Sequence, residues 1–119
     1  MPEASAHRQF FGDAERNFRL TPELIVELER KAGAGIGGLS RRFFNGDFRH
    51  QELLEVVRLG LIGGGERPEI AASLVAAYAA PAPVMELYGL ALPIIETVMF
   101  GSVQSIANDL PGEHREAAE

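Results

Sequence analysis

The stretch HQELLEVVRLGLIGGG, residues 50–65, decides the fold. Projected at 100° per residue, Leu53, Leu54, Val56, Val57, Gly60 and Leu61 share one arc, and Glu52, Glu55 and Arg58 take the other. This is a helical period, and it predicts a helix over residues 50–62 that packs on one side. Gly63, Gly64 and Gly65 stop it, because residues without a side chain favour turns over helix.

Upstream, Thr21-Pro22-Glu23 is a helix start. The threonine oxygen can accept from an early backbone N–H, proline suits the first helical position, and glutamate suits the positive end of the helix dipole. The first helix is predicted from Pro22 to about Ala32, with Leu24, Ile25, Leu28 and Ala32 inward and Gly33 as C-terminal cap. Ile36, Leu39 and Phe43 give a short second helix that ends at Asn45-Gly46, with Arg41 and Arg42 facing water. Before all of these, residues 8–12 and 16–20 flank a Gly-Asp-Ala-Glu stretch and read as a short β-hairpin.

Downstream, Pro68 can open a fourth helix in which Ile70, Leu74 and Tyr78 line up at four-residue intervals, backed by alanine and serine. Pro81-Ala82-Pro83 breaks it. A fifth helix, from about Pro83 to Phe100, holds Glu86, Gly89, Pro93, Glu96 and Thr97 in one narrow wedge and is apolar elsewhere, with a kink expected at Pro93. The predicted architecture is mainly α, about five helices in a small compact bundle preceded by an N-terminal β-hairpin. One domain is expected over residues 1–107, followed by a flexible acidic tail over residues 108–119.

Composition agrees with one ordinary globular unit: 119 residues, 46% hydrophobic and 24% charged. With no cysteine there is no disulfide framework, thiolate metal site or cysteine nucleophile. Eleven basic against seventeen acidic residues leave a net charge of −6, which repels phosphate backbones and disfavours nucleic-acid binding. The start of the chain lacks a signal-peptide pattern, so a cytoplasmic location is expected. Charge is unevenly spread. Residues 1–69 carry ten basic and eleven acidic side chains, whereas residues 70–100 carry only Glu86 and Glu96, and 23 of those 31 residues are apolar. The best membrane window, residues 84–100, is 17 long and holds two glutamates, a glycine and a proline. A spanning helix needs about 20 apolar residues, so no membrane span is expected.

Motifs for chemistry fail on context. Gly33-Ala34-Gly35-Ile36-Gly37-Gly38 matches G-x-G-x-x-G, but it follows a helix instead of a strand, so it reads as a connector. Gly63-Gly64-Gly65 has no following Lys-Ser or Lys-Thr pair to make a phosphate loop. His7, His50 and His114 are dispersed without a ligand at i+3 or i+4, so neither a metal nor another cofactor is expected. Glu86 and Glu96 lie about 15 Å apart along a helix, too far for a glycosidase acid–base pair. No catalytic residue is assigned and an enzyme is not expected. What remains is surface. One small core cannot easily cover the whole circumference of the fifth helix, so part of it should lie against a partner or a second copy of the chain. Leu87, Leu90 and Ile94, with Leu59 and Ile62 of the third helix, are the candidates for that face, and Gly63, Gly64 and Gly65 are the structural glycines.

The order Phe18-Arg19-Leu20-Thr21, Leu28-Glu29, Ile36, Leu39, Phe43-Phe44, Val56 to Gly65, a Leu74-Val75 helix and a last apolar helix ending in Gly101 resembles the gene transfer agent family of small phage-type tail proteins. The resemblance spans residues 13–101, and residues 58–65 are its most specific part. These proteins are usually described as tail assembly chaperones, though a tail-tube label has also been attached to them. The resemblance implies a non-enzymatic, cytoplasmic protein of a gene transfer agent or prophage, with no catalytic residues to carry over. Its implied partners are the apolar, helical tape measure protein or other tail proteins, and self-association is expected. The alternative within the family is a structural component of the mature tail. Arg49 departs from the pattern, standing where a serine or threonine would cap the third helix.

Overall fold

In the computed structural model, residues 5–101 are described. The expected acidic tail over 108–119 lies outside them, as does His114. The chain runs β1 (Ala6–Phe11), β2 (Ala14–Arg19), α1 (Pro22–Ala32), α2 (Ile36–Phe44), α3 (His50–Gly63), α4 (Pro68–Leu74) continuing through a π-helical turn (Val75–Ala79), and α5 (Val84–Phe100). A mainly helical protein with an N-terminal antiparallel hairpin is what the sequence predicts, and the strands are longer than expected because the turn between them is tight. Phe11 pairs with Ala14 across it, and Gly12 takes φ 72°, a left-handed value that a side chain disfavours.

The first three helix starts have local causes. Thr21 Oγ1 accepts from the Leu24 N–H at 3.4 Å, and Gly33 closes α1 at φ 70°. The first turn of α2 is capped from outside, the Glu29 carboxylate of α1 accepting from the Ile36 N–H at 2.8 Å. At the start of α3, Arg49 has no acceptor to offer. Instead Glu52, three residues on, accepts from the Arg49 backbone N–H at 2.9 Å, which is one half of a capping box and enough to set the helix start.

Helix α3 is the hub, packing against α5, β2, α1 and α4. Leu53, Val56, Val57 and Leu61 meet Phe18 from the hairpin, Leu28 of α1 and Ile94 and Ile95 of α5, all at most 1% exposed. Tyr88 of α5 stacks on Phe48 at 4.6 Å and donates its hydroxyl to the Phe43 carbonyl, tying α5 to the end of α2. On α4 and its π-turn the inner residues are Ala71, Val75 and Ala79, so the expected inner face of Ile70, Leu74 and Tyr78 is displaced by one residue. The small side chains let this segment lie close to its neighbours, and Tyr78 turns outward over the hairpin tip.

Gly63 and Gly64 are where strand and helix touch. A Cβ on Gly63 would lie 1.8 Å from the Arg19 carbonyl oxygen, and one on Gly64 would lie 1.9 Å from that of Asn17. The two glycines therefore admit the β2 backbone against the end of α3. Helix α5 runs unbroken through Pro93.

Candidate functional site: an apolar groove beside α5

Leu59, Leu87 and Ile94 are at most 2% exposed, Leu90 is 7% exposed, and Ile62 is half-buried. The first four are core residues of this chain, so the partner face expected from them is covered here by the chain itself. The reason is the hairpin: docked through Gly63 and Gly64, it brings Phe11, Phe18 and Leu20 over α3 and α5 and enlarges the core. Thr97, expected in the wet wedge, is also buried. Its hydroxyl donates to the Pro93 carbonyl at 2.8 Å, so that hydroxyl is satisfied despite its burial.

Leu87 and Leu90 nevertheless reach a groove of about 310 Å³. Its walls are Gln9 to Gly12 at the hairpin tip, Tyr78 and Ala79 of the π-turn, Ala82, and Glu86 on α5. Phe10 is 59% exposed there and Tyr78 43%. Strict alternation along β1 explains Phe10, since only one member of the Phe10-Phe11 pair can face the core. Phe11 meets the Tyr78 ring edge to face at 6.0 Å, and a Cβ on Gly12 would sit 2.8 Å from that ring. The groove is thus built from an outward aromatic on each side. Sequence reasoning missed both: Phe10 was unassigned, and the four-residue spacing put Tyr78 inside.

Away from the core, α5 exposes Val84, Met85, Met99 and Phe100, together with Glu86, Gly89 and Glu96. Phe100 stacks on Phe44 of α2 at 5.9 Å, and both remain substantially exposed. Exposed apolar residues gathered in this way mark interaction surfaces more often than scattered ones do.

A second concavity, of about 430 Å³, lies between the end of α1 and the start of α3. Its charges are committed to structure. Glu52 is 4% exposed and takes both Arg42 guanidinium nitrogens, at 3.2 and 2.8 Å, while Arg58 grips Glu55 at 2.7 and 3.2 Å. Arg42 is therefore half-buried with its guanidinium turned to Glu52 and not simply facing water as expected, and Glu52 does not lie on a wet arc. Burial alone would push the Glu52 carboxyl up, but the Arg42 hydrogen bonds and the Arg49 N–H outweigh it and hold the group below its ordinary range. Hydrogen bonding to Glu52 correspondingly raises Arg42. The glycine motif at residues 33–38 also has its structural role, since the helix N-terminus that would face a phosphate is occupied by Glu29. Among the described residues no group of three or more His, Asp or Glu side chains is placed to hold a metal ion. No helix among them is long and apolar enough to cross a membrane.

Fold and site together define a small, mainly helical domain most of whose exposed large apolar side chains lie at one groove and at the two ends of α5. The chain belongs to the GTA-gp10 family, described as a phage tail tube protein family, whose model matches residues 4–101. It is thus a member of a phage tail assembly family. No curated protein and no solved structure matches it.

Proposed function

We propose that this protein is a tail assembly chaperone that covers the apolar, helical tape measure protein in the bacterial cytoplasm before tail tube subunits polymerise around it. The observation that carries the reading is the groove of Phe10, Tyr78, Leu87 and Leu90 beside α5, a slot with two aromatic walls, edged by Gln9 and Glu86, that can take side chains from one face of a helix. The charged residues of the first half supply the solubility such a complex needs. The protein acts by binding and carries out no chemistry of its own, and its copies associate with one another along the tape measure.

The family's description favours a second reading, a component that remains in the mature tail. Tail tube proteins are usually richer in β-structure, and the only strands among the described residues are those of the hairpin. Quantitative mass spectrometry of purified particles and of the assembling lysate separates the two. A chaperone is abundant in the lysate bound to the tape measure protein and absent from finished particles. A stoichiometric presence in particles assigns the protein to the tube.

A further inference from the structure

Glu86 and Glu96 are the only charged residues between Arg67 and the end of α5 apart from Glu69, which lies at the start of α4. Both are exposed, and among the described residues neither carboxylate has an ion-pair or hydrogen-bond partner. Glu27, Glu52, Glu55 and Glu66 are each held by an arginine. Glu23 at the start of α1 is, like Glu86 and Glu96, exposed without a side-chain partner among the described residues, so what distinguishes the α5 pair is its apolar surroundings. Glu86 stands on the rim of the apolar groove, and Glu96 follows ten residues later, about 15 Å along the helix and roughly 80° around it. Between them the surface has no charge. Gly89 lies open, with nothing within 4 Å of where its Cβ would be, so another backbone can approach there. Met85, Met99 and Phe100 continue the exposed apolar surface at the two ends of α5.

We propose that the occupant of this surface is an amphipathic helix with basic flanks, which seats an apolar anchor between Phe10 and Tyr78 and sets two Lys or Arg side chains against Glu86 and Glu96. The proposal rests on the chaperone reading and adds to it the charge pattern of the segment recognised. The two acidic residues set the register of the partner along α5, and the groove supplies the contact area. Basic side chains suit the task, since a partner helix with acidic flanks would be repelled and one with neutral flanks would slide without register.

The test uses the full chain and overlapping synthetic peptides that tile the tape measure protein of the same gene cluster, with binding read by fluorescence anisotropy. Bound peptides should share an apolar stripe and basic residues spaced ten or eleven apart. Binding should weaken as salt is raised from about 0.05 to 0.5 M. The Glu86→Lys/Glu96→Lys variant should bind about tenfold more weakly, as two exposed pairs turned to repulsion allow. Exchanging the peptide's two basic residues for glutamate should restore its binding to that variant, which a merely structural effect would not do. Salt-insensitive binding that is unchanged in the double variant overturns this inference and leaves the chaperone reading in place. Failure of every tape measure peptide to bind the wild-type chain overturns both.

Discussion

Replacing Gly63 with alanine sets two opposite expectations against each other. Gly63 lies in the last turn of α3, where glycine-to-alanine changes ordinarily stabilise a protein by about 0.4–1 kcal/mol through the unfolded chain. In this fold the added carbon would lie 1.8 Å from the Arg19 carbonyl oxygen and 2.8 Å from its carbon. Close carbon–oxygen contacts run to about 3.3 Å, so the strand must retreat by about 1.5 Å. It cannot do so cheaply, because Phe18 and Leu20, on either side of Arg19, are 0% and 3% exposed. Overpacking of this kind costs about 1–3 kcal/mol, and each large apolar side chain drawn fully out of the core costs about 1.5–3 kcal/mol more. After the propensity gain is subtracted, Gly63→Ala should lose about 3 kcal/mol, which lowers the melting temperature by about 10 °C or more. Urea and thermal unfolding followed by far-ultraviolet circular dichroism measure this directly. Gly89→Ala is the control: it is exposed on α5 with open space around it, and should be neutral or stabilising by up to about 1 kcal/mol. A Gly63→Ala protein as stable as wild type would refute the strand-against-glycine packing.

Tyr78→Ala, at a 43% exposed position, should cost little stability yet weaken tape measure binding about tenfold or more in a pull-down titration, since an aromatic wall of the groove is lost. Leu90→Glu should destabilise strongly and lower the helical circular dichroism signal, because it places a carboxylate at a 7% exposed core position; a variant that folds normally would return Leu90 to the surface. Arg42→Ala should cost about 1.5–3 kcal/mol, because Glu52 loses its two charged hydrogen bonds and keeps only Arg49, whose guanidinium is 3.8 Å away, as read from denaturant midpoints at neutral pH. The Glu52 pKa is depressed in the fold, so its contribution to stability is complete above the ordinary carboxylate value of 4.5 and fades as pH falls through the depressed value. The gap between wild type and Arg42→Ala in acid titrations should therefore narrow below that value, and a gap that is constant through acid pH would refute the pairing.

Local chemistry alone carried most of the fold. Thr21-Pro22 and Gly33 bound α1, Asn45-Gly46 ends α2, Gly64 closes α3, and Pro81 to Pro83 separates the last two helices, because caps, prolines and left-handed glycines act within a few residues of themselves. The candidate site was legible only in part. An excess of apolar surface in residues 70–100 was visible, as was the importance of α5. Leu87 and Leu90 do floor the groove, but as residues buried by their own chain, whereas Phe10 and Tyr78, which give it accessible walls, come from segments far apart in sequence.

The residue pattern by itself determined which segments become helix or strand and that charge is scarce over residues 70–100. Tertiary structure alone decided which side of each helix is covered. Periodicity locates an apolar arc without saying what lies against it, so it could not show Glu52 held by Arg42, the one-residue displacement to Ala71, Val75 and Ala79, or Thr97 turned inward. Gly63 and Gly64 look like a helix stop in one dimension. In three they are the opening through which a strand backbone reaches the core, and that contact determines how much of α5 its own chain covers.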